Sequence, residues 1–247
     1  DTSTCLLVGW LGTDGFFSRA LKKSILDISW YGLKNSFWNI QKAFAHQLII
    51  FLCLVKIGLF FGSFNPVHNG HLIIANYLCE TTDLEKVWLV VSPQSPFKQK
   101  ETMLGEYDRL NLINLAIEKN TNLYASNIEF KLPKPSYTID TLTYLKEKYP
   151  RYRFSIIIGS DSFLNLANWY NYEVLISVVD FIVYERPGFP VDEQRVDHRI
   201  RYRLLRDTPV LHISATYIRD CIREKKSVRY LVHDKVLDEI EKSGYYL

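Results

Sequence analysis

From Lys56 to the end of the chain, apolar residues follow two alternating patterns. Short continuous apolar runs end in Gly, Ser or Pro, and longer stretches carry apolar residues every three or four positions. The first pattern reads as buried strands, the second as helices packed along one face. Residues 56–62 (KIGLFFG), 86–92 (KVWLVVS), 154–161 (FSIIIGSD) and 179–188 (VDFIVYERPG) are expected strands, with 210–214 (VLHIS) as a last short one. Residues 69–80 are an expected helix packed through Leu72, Ala75, Leu78 and Cys79, and residues 105–120 another packed through Tyr107, Leu110, Ile113 and Ile117. A helix over 138–150 is stopped by Pro150, and helices over 215–226 and 233–243 close the chain. Strands alternating with helices form a parallel sheet covered on both faces. Ligands bind such sheets at the carboxyl ends of the strands, so chemical motifs should lie just after strands. No internal repeat is visible.

Residues 1–55 break this pattern. They hold Trp10, Trp30 and Trp38 and show no repeating amphipathic period. The apolar run Leu48–Val55 is far shorter than the roughly 20 residues of a membrane span. No small-residue cleavage site follows it, so it does not read as a signal peptide. The expectation is an N-terminal extension outside the catalytic fold, with residues 56–247 forming one domain. The chain starts at Asp1 and its single methionine is Met103, which suggests a processed N-terminus or extra sequence upstream of the natural start.

Composition narrows the class. A chain of 247 residues, 47% hydrophobic and 23% charged, is globular. Thirty basic against 27 acidic residues leave +3, too little basic excess for a nucleic-acid binder. Cys5, Cys53, Cys79 and Cys221 are scattered without a CxxC pair. This disfavours a disulfide scaffold or a zinc knuckle and favours a reducing, cytoplasmic setting.

The densest chemistry lies in FFGSFNPVHNGHL, residues 60–72, where a strand gives way to a helix. Gly62 and Ser63 allow a tight turn and close approach of backbone to a ligand. His68 and His71, three apart at a helix start, share one side with unpaired backbone N–H groups. Two imidazoles at a helix N-terminus make a compact site for phosphate oxygens. Taken alone, His-x-x-His also fits a helix entry with two surface histidines. No Cys, Asp or third His completes a zinc set nearby. The chain contains no GxxxxGK[ST], and no GxGxxG follows the first strand, so P-loop and dehydrogenase readings fall away.

GSFNPVHNGH resembles the HxGH signature of the nucleotidyltransferase superfamily. SYTIDTL (136–142), IIGSDSFLNLANWY (157–170), RPG (186–188) and ISATYIR (213–219) follow in order and resemble the nicotinate-nucleotide adenylyltransferase family over residues 56–247. The resemblance implies a Rossmann-like, doubly wound α/β fold. It implies that His68 and His71 bind ATP phosphates and stabilise the transition state, with Lys98 and Arg219 as further phosphate contacts. Gly62, Ser63 and Phe64, Gly159 and Asp161, and Ile213, Ser214 and Thr216 would line the ATP site. Trp169 would stack on the nicotinate ring, beside Thr138 and Tyr170. The chain departs from the family's usual pattern at Asn65, where Asp is common, at Phe97, where His is common, and at Ala215, where Ser is common.

The implied reaction joins ATP and nicotinate mononucleotide into deamido-NAD and pyrophosphate, with Mg²⁺ held mainly by ATP phosphates. Small molecules are the expected partners, with no nucleic acid and no membrane; a homo-oligomer is compatible with the sequence. Other HxGH transferases, acting on nicotinamide mononucleotide or phosphopantetheine, and a non-catalytic adenine-nucleotide-binding module remain as alternatives at this point.

Overall fold

A computed structural model describes residues 54–93 and 103–247. The expectations for residues 1–53 and for Lys98 lie outside the described residues.

Six strands form one parallel sheet in the order β3-β2-β1-β4-β5-β6. They are β1 (Val55–Gly62), β2 (Lys86–Val91), β3 (Leu123–Ser126), β4 (Tyr152–Gly159), β5 (Asp180–Tyr184) and β6 (Tyr202–Leu205). The helices are α1 (Asn69–Thr81), α2 (Glu106–Ile117), α3 (Thr138–Lys148), the single-turn α4 (Ser160–Phe163), α5 (Tyr172–Val178), α6 (Ala215–Arg223) and α7 (Asp234–Ser243). This is the doubly wound order expected for the fold. Its direction reverses between β1 and β4, which pair through Phe60 opposite Ile157. A crevice opens at the carboxyl ends of two strands whose connections leave to opposite sides.

Strand alternation divides the core in two. Phe60, Leu89, Val91, Ile157 and Ile182 face one side, where Ala75 and Leu78 of α1, Ile113 of α2, Ile218 of α6 and Val236 of α7 pack on them. Leu59, Val90, Ile156, Ile158, Phe181 and Val183 face the other, against Leu142 and Leu145 of α3 and Leu175 and Ile176 of α5. Both faces of every central strand are therefore buried, which is why those strands read as unbroken apolar runs. Among the described residues no helix is long and apolar enough to cross a membrane.

Three expectations need correction. Residues 210–214 form no strand, and Leu211 is 41% exposed. The sheet edge belongs instead to β6, whose Tyr202–Leu205 pair with Phe181–Tyr184. Being an edge strand, β6 is only partly buried and carries Arg203 within it, so it lacks the apolar run of a central strand. The inward face of α2 is Arg109, Leu112, Ile113 and Ile117, while Tyr107 is 67% exposed and rests edge-on against Phe130. In α1 the fully buried apolar positions are Ile74, Ala75 and Leu78, with Leu72 and Cys79 only half-buried at the margin.

Candidate active site

The turn that follows β1 builds the site. Gly62 ends the strand, and its carbonyl accepts from Ser92 N–H at 2.9 Å, which ties the ends of β1 and β2 together. A side chain at Gly62 would meet the Phe64 ring at 2.9 Å, so glycine lets that ring fold back over the strand end. Phe64 is buried and takes a left-handed φ of 44°, which reverses the chain towards α1.

His68 and His71 are brought together as expected. Their rings stack with centroids 3.7 Å apart and planes inclined by 25°. The Phe64 and Phe60 rings stand edge-on to His71, with centroids at 5.0 and 6.0 Å, and wall its other sides. His71 Nδ1 accepts from His68 N–H at 3.3 Å, which places the proton of the neutral ring on Nε2. Gly70 explains the glycine between them: a Cβ there would lie 3.1 Å from His68 Nδ1 and 3.2 Å from Cε1. The His68 ring occupies the space a side chain would need.

His68 is 6% exposed, and among the described residues its Nδ1 finds no hydrogen-bond partner. Burial, and then the nearby Arg186 guanidinium, lower its pKa to about 4. It is therefore a neutral imidazole at neutral pH, and a buried nitrogen without a partner carries a desolvation cost that a ligand oxygen would relieve.

Arg219 reaches the same turn from α6. Its Nη1 donates to Asn65 O at 2.8 Å and its Nη2 to Thr216 Oγ1 at 3.3 Å, while its buried Nε makes no hydrogen bond among the described residues. Ser214 caps α6, its Oγ accepting from Tyr217 N–H at 3.1 Å. Ile213, just before the cap, lies about 4.0 Å from where a Gly70 Cβ would stand, so the starts of α1 and α6 are neighbours.

Across the reversal point, Gly159 ends β4 and Asp161 sits on α4. Asp161 Oδ2 accepts from Arg186 Nη1 at 2.9 Å, and Ser160 Oγ accepts from Arg186 N–H at 2.9 Å. On the opposite face of the sheet, Thr138 opens α3 and Trp169 is half-buried against that side's core. Tyr170 contacts Tyr137 with ring centroids 4.3 Å apart, which brings the start of α3 beside residues 169–170.

Three participants escaped the sequence reading as site residues. Arg186 lies within the RPG motif but was given no role; it is the cation that faces both Asp161 and His68. Arg109 is 1% exposed and holds four backbone carbonyls at the site's base. Its signal was present as an arginine on the buried face of an amphipathic helix, in line with Leu112, Ile113 and Ile117. Tyr246, whose hydroxyl donates to Asn65 Oδ1 at 2.9 Å, left no sequence signal.

Comparison with known proteins agrees with this architecture. The family model described as cytidylyltransferase-like matches residues 59–221. The probable nicotinate-nucleotide adenylyltransferase of Cytophaga hutchinsonii is 50% identical over 192 residues, 78% of this chain and 98% of that protein. The nicotinate-nucleotide adenylyltransferase of Bacillus subtilis is 36% identical over 192 residues, 77% of this chain and 98% of that protein. Among solved structures, the Plasmodium falciparum nicotinic acid mononucleotide adenylyltransferase complexed with NaAD superposes with a TM-score of 0.67 at 22% identity, covering 77% of this chain and 97% of that one, which bears on the fold alone. A family model that matches residues 59–221 and relatives up to 50% identical over nearly their whole length mean that this chain belongs to the nicotinate-nucleotide adenylyltransferase family.

Proposed function

We propose that this enzyme transfers AMP from ATP to nicotinate mononucleotide, releasing pyrophosphate and forming deamido-NAD. The observation that carries this reading is the pair of buried nitrogens without partners, His68 Nδ1 and Arg219 Nε, on two elements that meet at the turn after β1. Groups of that kind suit a densely anionic ligand.

The mononucleotide's phosphate attacks the α-phosphorus of ATP in line. It is already an anion, so no general base is required, and catalysis consists of aligning two repelling anions and stabilising the departing pyrophosphate. His71 Nε2–H and the neutral His68 ring serve as fixed donors, held in place by their packing so that they need not reorient as charge develops. Arg219 adds a positive charge while its Nη1 holds the turn, and Lys98 is assigned to the same phosphates. Gly62, Ser63 and Phe64 line the triphosphate. Gly159, Asp161, Ile213, Ser214 and Thr216 line the rest of the ATP site. Trp169 stacks on the pyridine ring, with Thr138 and Tyr170 at its edge.

Among the described residues no group of three or more His, Cys, Asp and Glu could hold a metal ion. The donor set instead suits phosphate oxygens, and Mg²⁺ is taken to enter as part of the substrate MgATP, held by phosphates and water. Catalysis is assigned to residues 56–247 and none to residues 1–55. Pyrophosphate release measured with nicotinate mononucleotide, nicotinamide mononucleotide and phosphopantetheine tests the proposal. Turnover should be highest with the first, and equal kcat/KM for the acid and the amide would refute the acceptor assignment.

A further inference from the structure

Arg109 is a charged side chain inside the core, and the mechanism above does not use it. Its Nε donates to Leu104 O at 2.9 Å, its Nη1 to Ser63 O at 2.5 Å and Ser92 O at 2.9 Å, and its Nη2 to Pro93 O at 3.3 Å. Among the described residues no carboxylate forms an ion pair with it. Burial works against its charged form, and Glu106, one helical turn earlier, is paired with Lys134 at 2.8 Å. A buried charge without a counter-ion is costly, and the four carbonyls offset that cost only in part.

Where those carbonyls sit gives the charge a purpose. Ser63 follows β1 and Ser92–Pro93 follow β2, so the guanidinium bridges adjacent strand ends at the ligand edge of the sheet. Bound to Arg109, the carbonyls of Ser63, Ser92 and Pro93 present their negative ends to it, where they would otherwise repel an incoming phosphate. Two residues on, Arg219 holds Asn65 O at 2.8 Å. Two arginines thus grip the turn on either side of Phe64, whose left-handed backbone needs support from its surroundings.

We propose that Arg109 is a positioning residue for the triphosphate, holding the turn after β1 in its anion-accepting form and supplying a fixed positive charge behind it. This rests on the reading of the cleft as an ATP site. Because the charge acts on the phosphates and not on the nucleoside, ATP and adenosine separate it from a merely structural role.

The test is equilibrium titration of the full chain with ATP and with adenosine, well below each variant's melting temperature. In Arg109→Gln the Kd for ATP should rise about tenfold, the size expected of one charge acting through protein at an effective dielectric of about 20. The Kd for adenosine should stay within about twofold. Arg109→Lys keeps the charge without the fork, and should hold ATP affinity within a few-fold of the parent. Should Arg109→Gln not fold, Arg109→Lys carries the test alone. Loss of ATP and adenosine affinity in parallel, in either variant, would overturn the proposal. A parent chain that bound ATP no more tightly than adenosine would instead overturn the reading of the cleft as a triphosphate site.

Discussion

Substituting Gly70 by alanine separates catalysis from stability at a single methyl group. Gly70 lies in the first turn of α1 and is not among the glycines with positive φ, so the backbone accepts alanine without strain. On local grounds the change should stabilise, since alanine is favoured over glycine in a helix by about 0.5–1 kcal/mol. The added Cβ, however, would stand 3.1 Å from His68 Nδ1 and 3.2 Å from Cε1, a few tenths of an ångström too close. His68 has little room to yield, being 6% exposed with the His71 ring stacked at 3.7 Å. The imidazole must tilt away from its donor position, and His71 tilts with it. Complete loss of one preorganised donor typically costs about 10²–10³ in kcat, so partial displacement should cost at least about tenfold. Initial rates of pyrophosphate release at saturating ATP and nicotinate mononucleotide, beside thermal melts of both proteins, give the comparison. The expected result is an unchanged or raised melting temperature with kcat reduced tenfold or more. A Gly70→Ala enzyme with kcat within twofold of the parent would refute the placement of His68 at the reacting phosphates.

Stability should depend on pH through His68. Its folded pKa of about 4 lies below the unfolded 6.5, so at acid pH the unfolded chain takes up a proton that the native ring resists. The contribution is intact above pH 6.5 and is lost as pH falls towards 4, amounting to about 2 kcal/mol by pH 5. Urea unfolding at pH 7.5 and pH 5 should show the difference, and His68→Gln should remove that share of it; an unchanged slope in the variant would count against a buried neutral imidazole. Trp169→Ala should raise KM for nicotinate mononucleotide by about 10- to 100-fold, the usual worth of a base–aromatic stack, while KM for ATP stays within twofold. Equal effects on both substrates would remove Trp169 from the acceptor site. Gly58→Ala places a Cβ 2.6 Å from Ile157 Cδ1 and 2.7 Å from Leu84 Cδ1, so it should lower unfolding free energy by about 1–3 kcal/mol with kcat unchanged below the melting transition. Removing residues 1–54 should leave turnover within twofold; an inactive but folded truncation would bring that segment into the catalytic unit.

Local pattern alone revealed the central strands and the turn that carries the histidines. Strands β1, β2, β4 and β5 are buried on both faces, and burial on both faces leaves an unbroken apolar run in the sequence. His68, Gly70 and His71 were legible because three successive constraints, a strand end, a helix start and a phosphate-binding turn, fall within a dozen residues. The sheet's margins were decided by tertiary packing. Strand β3 has only four residues, with Tyr124 51% exposed, and β6 is half-covered with Arg203 in its middle, so neither shows a clear period. The more apolar VLHIS lost the edge position because pairing with β5 depends on where the chain returns to the sheet, which hydropathy does not encode. Arg109 and Tyr246 show the same limit at the site. One lies 46 residues from the Ser63 carbonyl that it binds and the other 181 residues from Asn65, and only the closed fold brings a buried cation and a C-terminal hydroxyl to the turn that His68 and His71 follow.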